Sequence, residues 1–230
     1  MINLFFFLGD ASLPYRTIMA NHTDFNIGDF LVPKSRTVIA EQTHSPTVHI
    51  CNESDCGAGF DEHPQIPGCD ALITNHIKQY LLIRTADCTP VLLYDASNNA
   101  VGALHSGREG TRKNIVAATI NAMQNQYNTQ PQDLRAWIGA GISKKHYKVD
   151  ESTWLGFYEA CHLLDIDLSK DIFPFIDINF VISQQLLQAG VSVSRINNLG
   201  ICTFENKSYF SYRRDGTHNR QINIIGLTDG

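Results

Sequence analysis

Cys88, His105 and His44 are the residues whose chemistry and spacing stand out in this chain. Cys88 lies beside Asp87 just ahead of the apolar run Val91-Leu92-Leu93-Tyr94, and His105 closes the run Val101-Gly102-Ala103-Leu104. Each run has the length and composition of a buried strand. Neighbouring strands lie about 5 Å apart, so a thiol and an imidazole at their ends arrive at one sheet edge. His44, which follows the short β-branched run from Arg36 to Ala40, is expected to join them there. Two imidazole nitrogens and one thiolate make a three-ligand zinc site with an open fourth position, which marks catalytic rather than structural zinc. The same residues without metal permit a second chemistry, in which Cys88 is a nucleophile activated by His105 in a thiol hydrolase or deamidase. A single histidine at a strand end is usually a hydrogen-bonded structural residue, and a single cysteine a small core hydrophobe. Convergence of three such groups is what lifts them above that background.

Several other polar residues could serve the same site. Asp70 and Asp87 flank strand ends, where they could orient a ligand histidine or act as acid–base groups. Asp87 could equally cap a backbone turn. Arg213, Arg214 and Arg220 cluster late in an acidic protein, suited either to bidentate phosphate contacts or to a solvated strand edge. Cys51-x4-Cys56 with His49 and His63 is a looser metal-ligand set in a long loop. Cys69, Cys161 and Cys202 are most simply buried thiols. Gly139-x-Gly141 is a turn after a strand, since no third glycine completes a dinucleotide fingerprint.

The elements that must position these groups follow from pattern. Strands are expected at residues 1–8, 36–40, 70–74, 80–85, 90–94, 100–105, 134–138, 191–196, 208–213 and 222–225, with 47–51 as a hairpin partner of 36–40. Helices are expected at 111–126, 150–165 and 178–189, the last stopped by Gly190. Residues 9–30 look irregular. With 43% hydrophobic and 18% charged residues among 230, the chain suits one soluble mixed α/β (α+β) domain spanning 1–230. A net charge of −5 argues against a nucleic-acid partner. No run approaches the roughly 18 apolar residues of a membrane span, and the apolar start reads as a strand rather than a signal peptide. Six cysteines with no secretory signal point to a reducing, cytoplasmic setting.

Taken in order, Gln42-x-His44, Cys69-Asp70-Ala71-Leu72-Ile73-Thr74, Thr85-Ala86-Asp87-Cys88-x-Pro90 and His105-x-Gly107-x-x-Gly110 resemble the YfiH family. Cys202-Thr203 and Tyr209-Phe210-Ser211-Tyr212-Arg213-Arg214-Asp215-Gly216 extend the likeness over nearly everything after about residue 36. These laccase-domain proteins were once described as multicopper polyphenol oxidases and are now regarded as purine nucleoside phosphorylases. The resemblance implies a YfiH-like single-domain layered α/β sandwich with mixed β-sheets and flanking helices. It implies zinc, with copper as the alternative, on His44, Cys88 and His105. It further implies phosphorolysis of adenosine, inosine, guanosine and methylthioadenosine, with adenosine deamination as a second activity. Asp70 and Asp87 would assist catalysis, and Gln42, Arg108, Arg213, Arg214 and Arg220 would hold substrate or phosphate. A monomer or weak homodimer with small-molecule partners is expected. The family's His-Ala-Gly-Trp-Arg-Gly is here His105-Ser106-Gly107-Arg108-Glu109-Gly110, so the aromatic is lost and an arginine stands at 108. Ser45 replaces a usual glycine, and Gly9-Asp10-Ala11-Ser12 is a degenerate form of an expected N-terminal motif. These departures keep open a binding protein that has lost turnover.

Overall fold

Alternation of side chains in the central strands decides the layering. The computed structural model describes Ile2–Asp229. In chain order it contains β1 (Ile2–Leu8), α1 (Tyr15–Ala20), β2 (Phe25–Ile27), β3 (Phe30–Val32), β4 (Thr37–Ile39) and β5 (Val48–Ile50). Next come β6 (Ala71–Thr74), β7 (Tyr80–Thr85), β8 (Thr89–Asp95), β9 (Ala100–Ser106), α2 (Arg108–Arg112), α3 (Ile115–Tyr127) and β10 (Arg135–Ile138). The chain ends with α4 (Glu151–Leu163), α5 (Ile178–Gln188), β11 (Ile196–Asn198), α6 (Tyr212–Asp215) and β12 (Gln221–Asp229). One mixed sheet runs β1-β12-β7-β4 and a second runs β11-β10-β8-β9-β6-β5.

The two sheets stack face to face. Val38, Leu81, Ile83, Ile225 and Leu227 of the four-stranded sheet meet Leu72, Leu92, Val101 and Ala103 of the six-stranded one. Residues of opposite parity feed the outer layers. Ile73, Val91, Leu93 and Leu104 pack under Ile120 and Met123 of α3, Phe157 of α4 and Val181 and Ile182 of α5. On the other side, Leu82, Ile222 and Ile224 lie against Ile18 of α1 and the β2–β3 hairpin residues Phe25 and Val32. Sheets covered on both faces explain why β7, β8 and β9 are continuous apolar runs rather than alternating ones. Among the described residues, no helix is long and apolar enough to cross a membrane.

Several expectations are corrected. Residues 36–40 and 47–51 are strands but not a hairpin: β4 pairs in parallel with β7, and β5 in parallel with β6, in different sheets. The connection between them carries left-handed Gln42 and His44 and crosses from one sheet to the other instead of reversing. The expected helix 111–126 breaks at left-handed Asn114, whose side chain accepts from Ala117 N and starts α3 afresh. Residues 208–213 are not a strand, because Ser211 accepts from Arg214 N and caps α6. The strand expected at 191–196 shifts to β11, and the region 9–30 contains α1 and the β2–β3 hairpin. Gly190 does terminate α5, at φ 96°.

Leu92 is wholly buried between the sheets, whereas Leu163 is 84% exposed at the end of α4. Leu92→Ala should cost about 2–5 kcal/mol in a denaturant midpoint measurement, and Leu163→Ala less than about 0.5 kcal/mol. Equal effects would contradict the layering.

Candidate active site and metal centre

The Asp70 carboxylate, immediately before β6 and fully buried, gathers the site. It accepts from the backbone amides of Thr43 (2.9 Å), His44 (2.9 Å) and Ser45 (2.7 Å), and from Ser45 Oγ (3.0 Å). His105 Nδ1 lies 2.7 Å from Asp70 Oδ1. Burial alone would raise this carboxyl; His105 and the Ser45 donors outweigh it and bring it down to about 2. The three amides hold His44 at φ 61°, a left-handed conformation that costs a non-glycine residue energy.

With Nδ1 committed to Asp70, the His105 nitrogen left for a ligand is Nε2. Cys88 Sγ lies 3.8 Å from His44 Nε2, and the two imidazole rings stand 4.9 Å apart at 77°. One ligand atom from each of His44, Cys88 and His105 falls within 4.8 Å of the others. Burial pushes the Cys88 thiol up, but adjacent His105 and then His44 outweigh it and hold it at about 6. His105 is raised, since Cys88 and Asp70 more than offset its burial.

Gly107 leaves room for this cluster. A Cβ there would stand 2.9 Å from Cys88 Sγ and 3.0 Å from His44 Cδ2, so any side chain would fill the space in front of the thiol. Two imidazoles, a thiolate and a glycine-cleared approach fit a tetrahedral zinc ion with one open position.

Asp87, at φ 85°, shapes the turn that presents Cys88. Its carboxylate accepts from Thr203 Oγ1 (2.7 Å) and from the backbone amide of Arg213 (2.6 Å). Its carbonyl accepts from Ile142 N at 2.9 Å. The structure therefore uses Asp87 to tie three distant segments to the thiol turn. Gln42 plays a comparable part beside His44: Nε2 donates to Arg84 O (2.7 Å), and Oε1 accepts from Arg84 N (2.8 Å).

The cluster opens into a cavity of about 770 Å³ whose wall includes Gln42, Arg108, Arg213 and Arg220. Three arginine–tyrosine pairs dominate that wall. Arg84 lies over Tyr15 (4.9 Å), Arg213 over Tyr147 (5.1 Å) and Arg220 over Tyr212 (6.0 Å). Arg108 also reaches the cavity and pairs with Glu109 at 3.2 Å. Arg214 faces elsewhere: its guanidinium donates to the carbonyls of Thr203 (2.7 Å) and Tyr209 (2.8 Å) and to Asp215 (2.7 Å), holding the C-terminal loop together. In the long loop, His49 and Cys51 meet Asp55, while Cys56 Sγ accepts from Gln79 and His63 is exposed. Sequence reasoning passed over Arg84, Tyr15, Tyr147 and Tyr212 as wall residues. A charge at the end of the otherwise apolar run Tyr80–Ile83 was the available signal for Arg84; Tyr15 and Tyr147 carried none.

Two measurements follow from these couplings. In metal-stripped protein, iodoacetamide labelling of Cys88, followed by mass spectrometry, should rise half-maximally near pH 6; a midpoint near 9 would contradict the site's electrostatics. Asp70 is depressed when folded, so its contribution is present above an ordinary carboxylate value and lost as pH falls toward 2. That loss amounts to about 2 kcal/mol, and Asp70→Asn should flatten the acid limb of a stability-versus-pH curve.

The chain resembles known proteins in sequence and fold. A family model described as multi-copper polyphenol oxidoreductase laccase matches residues 10–228. The purine nucleoside phosphorylase of Corynebacterium glutamicum is 33% identical over 84% of this chain and 74% of its own length. That of Campylobacter jejuni is 30% identical over 84% of this chain and 78% of its own. Among solved structures, YlmD from Geobacillus stearothermophilus has a TM-score of 0.79 at 29% identity, covering 86% of this chain and 76% of that one. YfiH from Bacillus licheniformis has a TM-score of 0.77 at 28% identity, covering 92% and 78%. The cysteine and histidines of the cleft thus sit in a layered fold shared with YlmD and YfiH, and the chain belongs to the multi-copper polyphenol oxidoreductase laccase family.

Proposed function

We propose that this protein is a zinc-dependent purine nucleoside phosphorylase that converts adenosine and phosphate to adenine and ribose 1-phosphate. The observation that carries this reading is the open His44–Cys88–His105 set beside a cavity walled by arginine–tyrosine pairs. Relatives at about this identity are named purine nucleoside phosphorylases, which supports the substrate class. Phosphorolysis moves no electrons to or from the protein, so a redox-inert ion suits it better than copper.

The tyrosine faces of the cavity suit a purine ring, and Arg213 and Arg220 suit the anionic oxygens of phosphate. Burial lowers the Arg220 pKa, the mark of a guanidinium only partly hydrated before an anion arrives. A phosphate oxygen bonds to C1′ as the C1′–N9 bond breaks, its electron pair leaving with the purine. The proton that phosphate gives up is taken by the departing base. When bound, zinc would supply Lewis-acid and electrostatic stabilisation at its open coordination position. Asp70 keeps His105 in one tautomer and one orientation, and Asp87 holds the thiol turn against the arginine-bearing segment.

The Cys88–His105–Asp70 alignment also favours a second reading, a metal-independent thiol hydrolase. The discriminating experiment follows adenosine chromatographically with and without phosphate, in wild type and Cys88→Ala, before and after chelation. Phosphate-dependent adenine release that chelation abolishes, zinc restores, and Cys88→Ala reduces by about 100-fold or more is the expected result. Turnover that ignores phosphate and chelator yet stops with iodoacetamide would replace the phosphorylase with the hydrolase.

A further inference from the structure

Behind the cavity wall lies a second group of potential ligands. His146, Cys202 and Glu205 bring one ligand atom each within 4.8 Å of the others. They come from two segments that are pinned together before any ligand arrives. Gly141 and Cys202 form a parallel bridge, reinforced by Thr203 N→Gly141 O (3.1 Å) and Gly141 N→Ile201 O (3.2 Å). The His146 ring lies flat on Phe204 at 4.3 Å and 12°, which fixes the direction of its nitrogens. Its Nε2 stands 2.9 Å from Glu205 Oε1.

The sulfur is prepared as well. Ser143 N donates to Cys202 Sγ at 3.3 Å, which fixes the position of the sulfur. The Ser143 hydroxyl, on the same residue, is buried and makes no hydrogen bond. Cys202 is only 9% exposed, while the side chains of His146 and Glu205 are 29% and 49% exposed, so an ion can enter from solvent and reach the thiol behind them. A surface hydrogen bond accounts for His146 and Glu205, with Lys145 Nζ 3.9 Å from the same carboxylate. It does not account for a thiol held beside both.

We propose that His146, Cys202 and Glu205 form a second metal site, for a divalent cation of the zinc class. One nitrogen, one sulfur and one carboxylate oxygen are borderline donors, which rules against magnesium and calcium, whose ligands are oxygens. Binding would release the Cys202 proton and displace the exposed Lys145 ammonium from Glu205. Water completes the coordination on the solvent side. The site would staple 143–146 to 202–205, whose neighbours Ile142 and Tyr147 line the cavity and whose Thr203 holds Asp87 next to Cys88. It is independent of the phosphorylase reading.

The test is stoichiometric, on the full chain stripped of metal and titrated with zinc alone and with cobalt(II) alone. Wild type should take up two equivalents of zinc, and His146→Ala and Glu205→Gln one each. Cys88→Ala should keep one equivalent, with a thiolate-to-cobalt absorption band that the added His146→Ala removes. If the cleft site binds nothing, wild type and Cys88→Ala both take up one equivalent and His146→Ala none, so the two sites fail separately. The proposal is overturned if His146→Ala and Glu205→Gln bind as much zinc as wild type. Absence of a thiolate–cobalt band in Cys88→Ala overturns it equally. His146 and Glu205 lie on two partly exposed loops, so these variants retain the folded core, checked by near-ultraviolet circular dichroism.

Discussion

One buried carboxylate organises the candidate site. Asp70 sits where β6 begins and receives donors from the Thr43–Ser45 loop on one side and from His105 on the other. A buried anion without partners would be costly, so its position demands those donors, and supplying them fixes both histidines at once. His44 adopts a backbone conformation it would otherwise avoid, and His105 is left with a single nitrogen for the cleft. Asp87 repeats the device at lower burial, holding the thiol turn through Thr203 and the Arg213 amide. The geometry of His44, Cys88 and His105 is thus set by hydrogen-bonded acids.

The cavity wall follows a different logic. Each of its three stacked arginines rests on a tyrosine, and for Arg84 and Arg213 that tyrosine comes from a distant part of the chain. Arg84 is held further by Gln42 and by the carbonyls of Ala40 and Glu41. Cations fixed in this way lose little side-chain freedom when an anion binds, which is the benefit of preorganisation. Arg108, beside its neighbour Glu109 and Tyr147, stands where the family carries an aromatic ring.

Much of this was legible in the residues themselves. The buried strands β7, β8 and β9 announced themselves as apolar runs, and Cys88 and His105 at their ends announced the cleft. The partner of β4 was not legible, because a β-branched triplet states that a strand exists but not which sheet receives it. The elements α1, β2, β3 and α6 are only three to six residues long, too short for a period to show, and their form is decided by what they cover or cap. Two of the three arginine–tyrosine pairs were equally hidden: Arg84 and Tyr15, like Arg213 and Tyr147, lie dozens of positions apart, and only the closed fold sets ring against guanidinium. Asp70 was visible as a candidate orienting group, while its grip on three successive amides required the left-handed loop to be seen.

The placement of His44, Cys88 and His105 has a further consequence. His44 follows β4 of the four-stranded sheet, Cys88 lies in the turn that carries the chain from β7 into the six-stranded sheet, and His105 belongs to β9 of the latter. An ion shared among them would be a cross-link between the two halves of the sandwich. Metal occupancy and folding are then linked by mass action, and ion at a thousand times its dissociation constant would add about 4 kcal/mol to the stability of the whole domain. Melting temperature would then become a reporter of ion concentration.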